Sequence, residues 1–186
     1  MARLGLSVSP GFALLAAALY YIGGGAALAA FLTAALAHEL GHMAAIYAVG
    51  AHIRRVRVTA AGPVIEYGGA LTERQEAGVV AAGPAAGLLF AAGCFLTHAA
   101  YFQYAGCVAV LASAFNLLPV YPMDGGRLAL YLLRLGMPER AAEITLRALG
   151  TVCAVGVTAA GIAVASPAMA AAGLWMAALA NFPALR

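Results

Sequence analysis

The chain has 186 residues, enough for one domain, and is 65% hydrophobic with only 9% charged residues. A soluble domain carries about a quarter charged residues. The composition and a mean hydropathy of +0.94 therefore exclude an ordinary water-soluble fold and imply an integral membrane protein in a lipid bilayer. The net charge is a small +3, all ten basic residues are arginine, and no nucleic-acid partner is expected.

A helix needs about 20 apolar residues to cross about 30 Å of hydrocarbon. Six stretches approach that pattern. The first runs from about Leu6 to Ile22, with Pro10 near its start and the glycine triplet Gly23-Gly24-Gly25 turning the chain. It reads as a span rather than a signal peptide, because the triplet makes a poor cleavage site and further spans follow. The second runs from Ala26 to about Val49. In the polar stretch that follows, Ile53 to Thr59 alternates in part and Val64 to Tyr67 reads as a returning strand, which predicts a short surface hairpin. That loop is expected to hold an unwound substrate segment by strand addition.

The third span is about Val79 to Leu96 and the fourth about Phe102 to Leu118. A break rich in Pro and Gly follows, Pro119 to Gly126, and Leu128 to Leu135 either continues the fourth span or lies at the interface. Pro138 to Leu149 reads as a surface helix that Gly150 can end. Thr151 to Ala165 and Ala168 to Phe182 are the last two spans. Cys94, Cys107 and Cys153 have no metal or redox spacing and read as small buried hydrophobes. The fold class expected is an all-α polytopic membrane protein with about six transmembrane helices. A β-hairpin-like loop lies between helices 2 and 3, in a single transmembrane domain over 1–186.

With six spans, all ten arginines fall on one side, from Arg3 through Arg54, Arg55 and Arg57 to Arg186. The positive-inside rule makes that side cytoplasmic, with both termini there.

The chemistry is concentrated in His38-Glu39-Leu40-Gly41-His42. On a helix, residues i and i+4 share a face, so the two imidazoles can grip one metal ion while Glu39 serves as general base. From composition alone the pattern arises by chance roughly three times in a thousand chains of this length. A charged glutamate within a span costs about 2.5 kcal/mol or more and marks function. The competing reading, two core histidines beside a snorkelling glutamate, is weaker.

Catalytic zinc takes three protein ligands and leaves a fourth position open. His52 lies in the loop past the second span and His98 at the opposite, charge-free end of the third. The single aspartate, Asp124, lies at the broken end of the fourth span, which runs toward the same face as His42. Asp124 is the candidate third ligand; the alternative is that it only caps the segment that begins at Gly125.

The motif His38-Glu39-Leu40-Gly41-His42, together with the element from Asn116 to Arg127, resembles the site-2 protease family of intramembrane zinc metalloproteases. It is most similar to the sporulation-type branch, in which a span also opens with Ala-Gly-Pro, here Ala82-Gly83-Pro84. The similarity covers about Ala26 to Leu135, followed by the C-terminal helices of residues 138–182. The resemblance implies one Zn2+ held by His38, His42 and Asp124, with Glu39 as general base. It gives Asn116 and Pro119 a role in positioning substrate or supporting the site.

It further implies hydrolysis of a membrane-associated protein substrate, such as a pro-sigma factor or tethered regulator, near the cytoplasmic face of a bacterial inner membrane. A membrane-bound inhibitor or regulator is a further partner of that kind. Two departures stand out. The family often has Asn where this chain has Gly87, so Gly83 and Gly87 form a small-residue packing face instead. The nucleotide-sensing CBS domain of the sporulation-type branch is expected to be absent. The alternative from another class is a non-proteolytic membrane zinc protein, either a transporter or an inactive homologue acting as a scaffold.

Overall fold

The structure is a computed structural model that describes residues 5–59 and 62–181. Arg3, Arg186 and Phe182, on which parts of the orientation and of the last span rest, lie outside the described residues, as do Ala60 and Ala61. The element order is β1 (Gly5–Val8), α1 (Pro10–Ala48), β2 (His52–Thr59), β3 (Gly62–Gly68), α2 (Glu73–Phe95), α3 (Ala100–Asn116), α4 (Asp124–Arg134), α5 (Glu139–Ala163) and α6 (Pro167–Asn181). All six expected apolar stretches lie largely in helices. Among the described residues, α1, α2 and α5 are long and apolar enough to cross a membrane, and α6 is a shorter apolar helix. Large apolar side chains such as Leu14, Leu89, Leu111, Val152 and Ile162 are exposed, an exterior suited to lipid.

The chain forms two compact units. The first holds residues 5–72 and 82–113, less the two undescribed residues. Its N-terminus departs from the sequence expectation. Gly5–Val8 is not the start of a span but a strand, parallel to β2 with Leu6 opposite Val56 and Val8 opposite Val58. The boundary is chemical: Ser9 caps α1 by accepting from the Phe12 N–H at 3.3 Å, and Pro10 occupies the first turn, where its missing N–H costs nothing.

The Ser9 N–H also donates to the Val58 carbonyl at 2.8 Å. A straight helix over Pro10–Ala48 would extend about 58 Å, whereas the ten residues from Ala48 to Val58 reach at most about 36 Å. α1 must therefore double back. It does so at Gly24, whose φ of 71° and ψ of −174° are non-helical. The glycine triplet thus separates two limbs, as expected of the first two spans. The second limb ends in a Schellman motif at Gly50, φ 77°, in which the Gly50 N–H donates to Tyr47 and the Ala51 N–H to Ile46.

β2 and β3 form the expected hairpin, antiparallel with Val56 opposite Ile65 and a bulge between Ile53 and Arg55. The sheet order β1-β2-β3 leaves β2 in the centre. Over Arg55–Val58 both edges of β2 are already paired, so strand addition to the 53–67 loop would have to use another edge of the sheet.

Small residues knit the helices of this unit in successive layers. Ala30, Cys94 and Ala105 form one, and Ala34, Ala91 and Ala109 the next. Each layer takes one residue from α1, one from α2 and one from α3, stepping four, three and four residues along the respective helices. Lipid gives no hydrophobic drive for helix association, so close backbone approach through such residues supplies dispersion contact instead.

The second unit holds residues 73–81 and 114–181. α4 is neither a continuation of the fourth span nor confined to Leu128–Leu135. It begins at Asp124, after the extended N-cap Met123 and the break that Pro119 and Pro122 impose. Gly125 and Gly126 press against the backbone of Leu117, Leu118, Val120 and Tyr121, where a Cβ on either would overlap main-chain atoms.

Gly150 does not end a surface helix: α5 runs unbroken to Ala163 with Pro138 as its N-cap. Glycine inside a helix costs about 1 kcal/mol. Here it is offset by the approach of the Pro119 carbonyl and the Ala180 methyl, which a Cβ at Gly150 would meet at 3.1 and 3.2 Å. Val120, Met123, Ala154, Met176 and Ala180 form the core of this unit. The cysteines are free, but only Cys94 is buried; Cys153 is half-buried and Cys107 exposed, because the apolar exterior of a membrane helix is also made of apolar residues.

Proline at position 56 removes a ladder donor from the central strand. Val56→Pro is expected to make the 52–68 segment protease-sensitive and to lower the melting temperature in detergent, whereas Tyr20→Phe, at an exposed helical position, is expected to change neither.

Candidate metal centre

The residues buried along α1 are Ala30, Ala34, His38, His42 and Ile46, one every fourth position. Each lies about one turn beyond the last, so together they form one inward stripe. The two histidines occupy the stripe because their neighbours on α2 are glycines. A Cβ on Gly83 would overlap the His42 imidazole, and one on Gly87 would come within 3.8 Å of His38 Nδ1. The glycine between the histidines does the same work from the other side: a Cβ on Gly41 would overlap the Ala82 carbonyl oxygen and lie 2.5 Å from the Ala86 methyl. The expected small-residue face of Gly83 and Gly87 is therefore real: the His42 imidazole fills the space at Gly83 and the Ser113 hydroxyl that at Gly87, with His38 Nδ1 in ordinary contact.

The rings meet edge to face, centroids 4.8 Å apart and planes at 77°. His38 Nε2 and His42 Nε2 are 3.1 Å apart, and both residues are under 9% exposed. Two nitrogens each about 2.05 Å from a tetrahedral Zn2+ are separated by about 3.3 Å. The pair therefore has the spacing that shared ligation requires. Glu39, next along the helix, is half-buried.

Asp124 is the first residue of α4. It is not the N-cap that one sequence alternative made it. Its helix is held by the backbone cradle around Gly125 and Gly126 and by polar contacts further along. Arg134 is 3.9 Å from Glu73 and 2.9 Å from Glu139. Tyr131 hydrogen-bonds with Arg127 and Glu76. Burial pushes the Tyr131 phenol above its ordinary value, with the Arg127 guanidinium opposing and Glu76 adding to the shift.

His38 and His42 in the first unit offer two imidazole nitrogens and Asp124 in the second a carboxylate, residue types able to hold a metal ion. His52 is exposed at the start of β2, and His98 is exposed past the end of α2. Asn116 is the last residue of α3 and Pro119 lies in the turn after it, both half-buried. Ser113, only 1% exposed, went unremarked in the sequence; its signal is a lone hydroxyl continuing the buried stripe of Ala105 and Ala109 at four-residue steps.

Residues 95–156 match the family model of Peptidase family M50. The matched segment includes Asn116, Pro119 and Asp124 and does not extend to His38 and His42. No curated protein matches the chain in sequence. Among solved structures the chain is similar to the Site-2 Protease from Methanocaldococcus jannaschii, with a TM-score of 0.72 and 16% identity over 100% of this chain and 96% of that one. The fold is that of a site-2 protease, and the family-model match supports a metalloprotease of that type.

Overpacking a close contact costs about 1–3 kcal/mol. Gly83→Ala, which forces the His42 ring aside, is expected to weaken zinc binding by at least about tenfold. Gly78→Ala, where a Cβ meets nothing within 4 Å, is expected to leave it unchanged. Chelator competition on the purified proteins reads both.

Proposed function

We propose that this integral membrane protein is an intramembrane zinc endopeptidase whose Zn2+ is held by His38, His42 and Asp124. The observation that carries the reading is the pair of Nε2 atoms 3.1 Å apart on the buried stripe of α1. Two imidazoles and one carboxylate leave a tetrahedral ion one open position, the donor set of a catalytic rather than a structural site. Zinc in such a site polarises a carbonyl and acidifies water.

The chain's own part is as follows. Glu39, adjacent to His38 and at the edge of the stripe, takes a proton from the attacking water and delivers it to the leaving amine. Asn116 and Pro119 support the site or position substrate at the end of α3. The peptide to be cut must leave its helix first, because its carbonyls are otherwise engaged in intrahelical hydrogen bonds. β2 has both edges paired over Arg55–Val58, so the outer edge of β1 or β3 takes that role.

His38 and His42 lie ten and six residues before the end of α1, about 15 and 9 Å along the axis. With Arg54, Arg55 and Arg57 just beyond, that end is assigned to the cytoplasmic face of a bacterial inner membrane, and both termini with it. The substrates are membrane-associated proteins, of which a pro-sigma factor or tethered regulator is one class, and a membrane-bound inhibitor or regulator would gate access.

Removing a general base costs about 10²–10⁴ in rate. Glu39→Gln is expected to bind zinc as wild type does and to cleave a co-expressed membrane-tethered reporter at least about a hundredfold more slowly. Equal cleavage by the two proteins would exclude Glu39 as the base. Absence of cleavage by both, with zinc bound, would favour a zinc transporter or scaffold.

A further inference from the structure

Within the second unit, one hollow is lined from α4, α5, α6 and the turn before α4. α4 contributes Leu130, α6 contributes Ala180, and α5 contributes Glu143, Leu146, Arg147 and Gly150. The α5 residues are spaced i, i+3, i+4 and i+7, so one face of that helix forms a wall. Tyr121 completes the lining from the turn. The hollow thus joins apolar surface to a phenol, a carboxylate and a guanidinium.

Its level along α5 is the boundary between charged and apolar sequence. Glu139, Arg140, Glu143 and Arg147 all precede Gly150, and from Gly150 to Ala163 the helix carries no charge. In a membrane protein that boundary is where lipid headgroups meet acyl chains.

Glu143 and Arg147 stand about one turn apart, the spacing at which opposite charges on a helix usually pair. They do not pair here. Among the described residues neither side chain, nor that of Tyr121, has a hydrogen-bond or ion-pair partner. Arg134, by contrast, is engaged with both Glu73 and Glu139.

We infer that the hollow is a binding site for one phospholipid of the phosphatidylethanolamine type. That headgroup carries what the hollow calls for: a phosphate for the Arg147 guanidinium and a primary ammonium whose N–H groups donate to the Glu143 carboxylate. The Tyr121 hydroxyl donates to an oxygen of the same headgroup. One acyl chain runs along Leu130, Leu146 and Ala180. A mostly apolar hollow with a few convergent polar groups is the usual form of a small-molecule site.

Charge selects this headgroup over others. An anionic lipid would satisfy Arg147 and leave the half-buried Glu143 carboxylate unpaired beside a phosphate. A choline headgroup has a quaternary ammonium with no N–H to donate to Glu143.

The test uses the full chain purified in detergent and equilibrated with equal amounts of dioleoyl phosphatidylethanolamine, phosphatidylcholine and phosphatidylglycerol. Native mass spectrometry reads the lipid that stays bound. Wild type is expected to retain phosphatidylethanolamine at least about tenfold over either other lipid, the discrimination that one hydrogen bond between charged groups supports. Glu143→Gln is expected to retain phosphatidylethanolamine no better than phosphatidylcholine. Arg147→Gln is expected to lower retention of every phospholipid. Arg140→Gln, on the same helix but outside the hollow, is expected to change nothing.

Equal retention of the lipids by wild type, or a preference for either of the other two, overturns the inference without any variant having to fold. A preference for phosphatidylethanolamine that survives in Glu143→Gln overturns it as well. None of these results bears on zinc, so the proposed activity is tested separately.

Discussion

The His42 ring lies against a bare stretch of α2 backbone, and much of the first unit depends on that contact. An imidazole can be buried inside a membrane helix bundle only where it has partners and room. Room for the His42 ring comes from Gly83 on α2, and approach from Gly41 on α1, which nests against the Ala82 carbonyl. The alanine layers above set the interhelical distance that the glycines then exploit. Small residues on membrane helices are usually read as a means of association. Here the same close approach does a second job, holding two imidazoles edge to face with their Nε2 atoms turned toward one point.

The aspartate side is built differently. Non-helical backbone at membrane depth is tolerated only where it is buried in protein or lines a cavity. The segment between α3 and α4 meets that condition by packing glycines against main chain rather than side chains against side chains. Asp124 then falls at the first turn of α4, where the positive end of the helix dipole favours a carboxylate. Arg134, reaching both Glu73 and Glu139, ties the far end of that short helix within its own unit. An 11-residue helix is too short to hold itself in place by spanning; its position comes from these contacts.

At the N-terminus, a four-residue strand decides the path of a 39-residue helical stretch. Once β1 pairs with β2, the start and end of α1 must lie near each other, and Gly24 is where the backbone yields. The start of α1 and the arginines of β2 therefore lie on the same side of its two limbs.

Much of the candidate site was legible in sequence because it depends on local periodicity. Two histidines four apart share a helix face in any helix, and the hydropathy of the surrounding residues places that helix in lipid. The Pro and Gly residues around Asp124 likewise announced a broken backbone. What sequence could not show depends on which distant surfaces meet. Gly5–Val8 has the composition of a span, and only pairing with β2 makes it a strand. Gly150 has the composition of a helix stop, and only the Pro119 carbonyl and Ala180 packed beside it explain an uninterrupted α5. Ser113 is one serine in an apolar helix until the layers bring it level with His38 and Gly87. Sequence by itself determined the membrane setting and the candidate ligands. Tertiary structure decided which glycine makes space for the His42 imidazole and which hydroxyl fills the space at Gly87, because such packing is a property of three helices together.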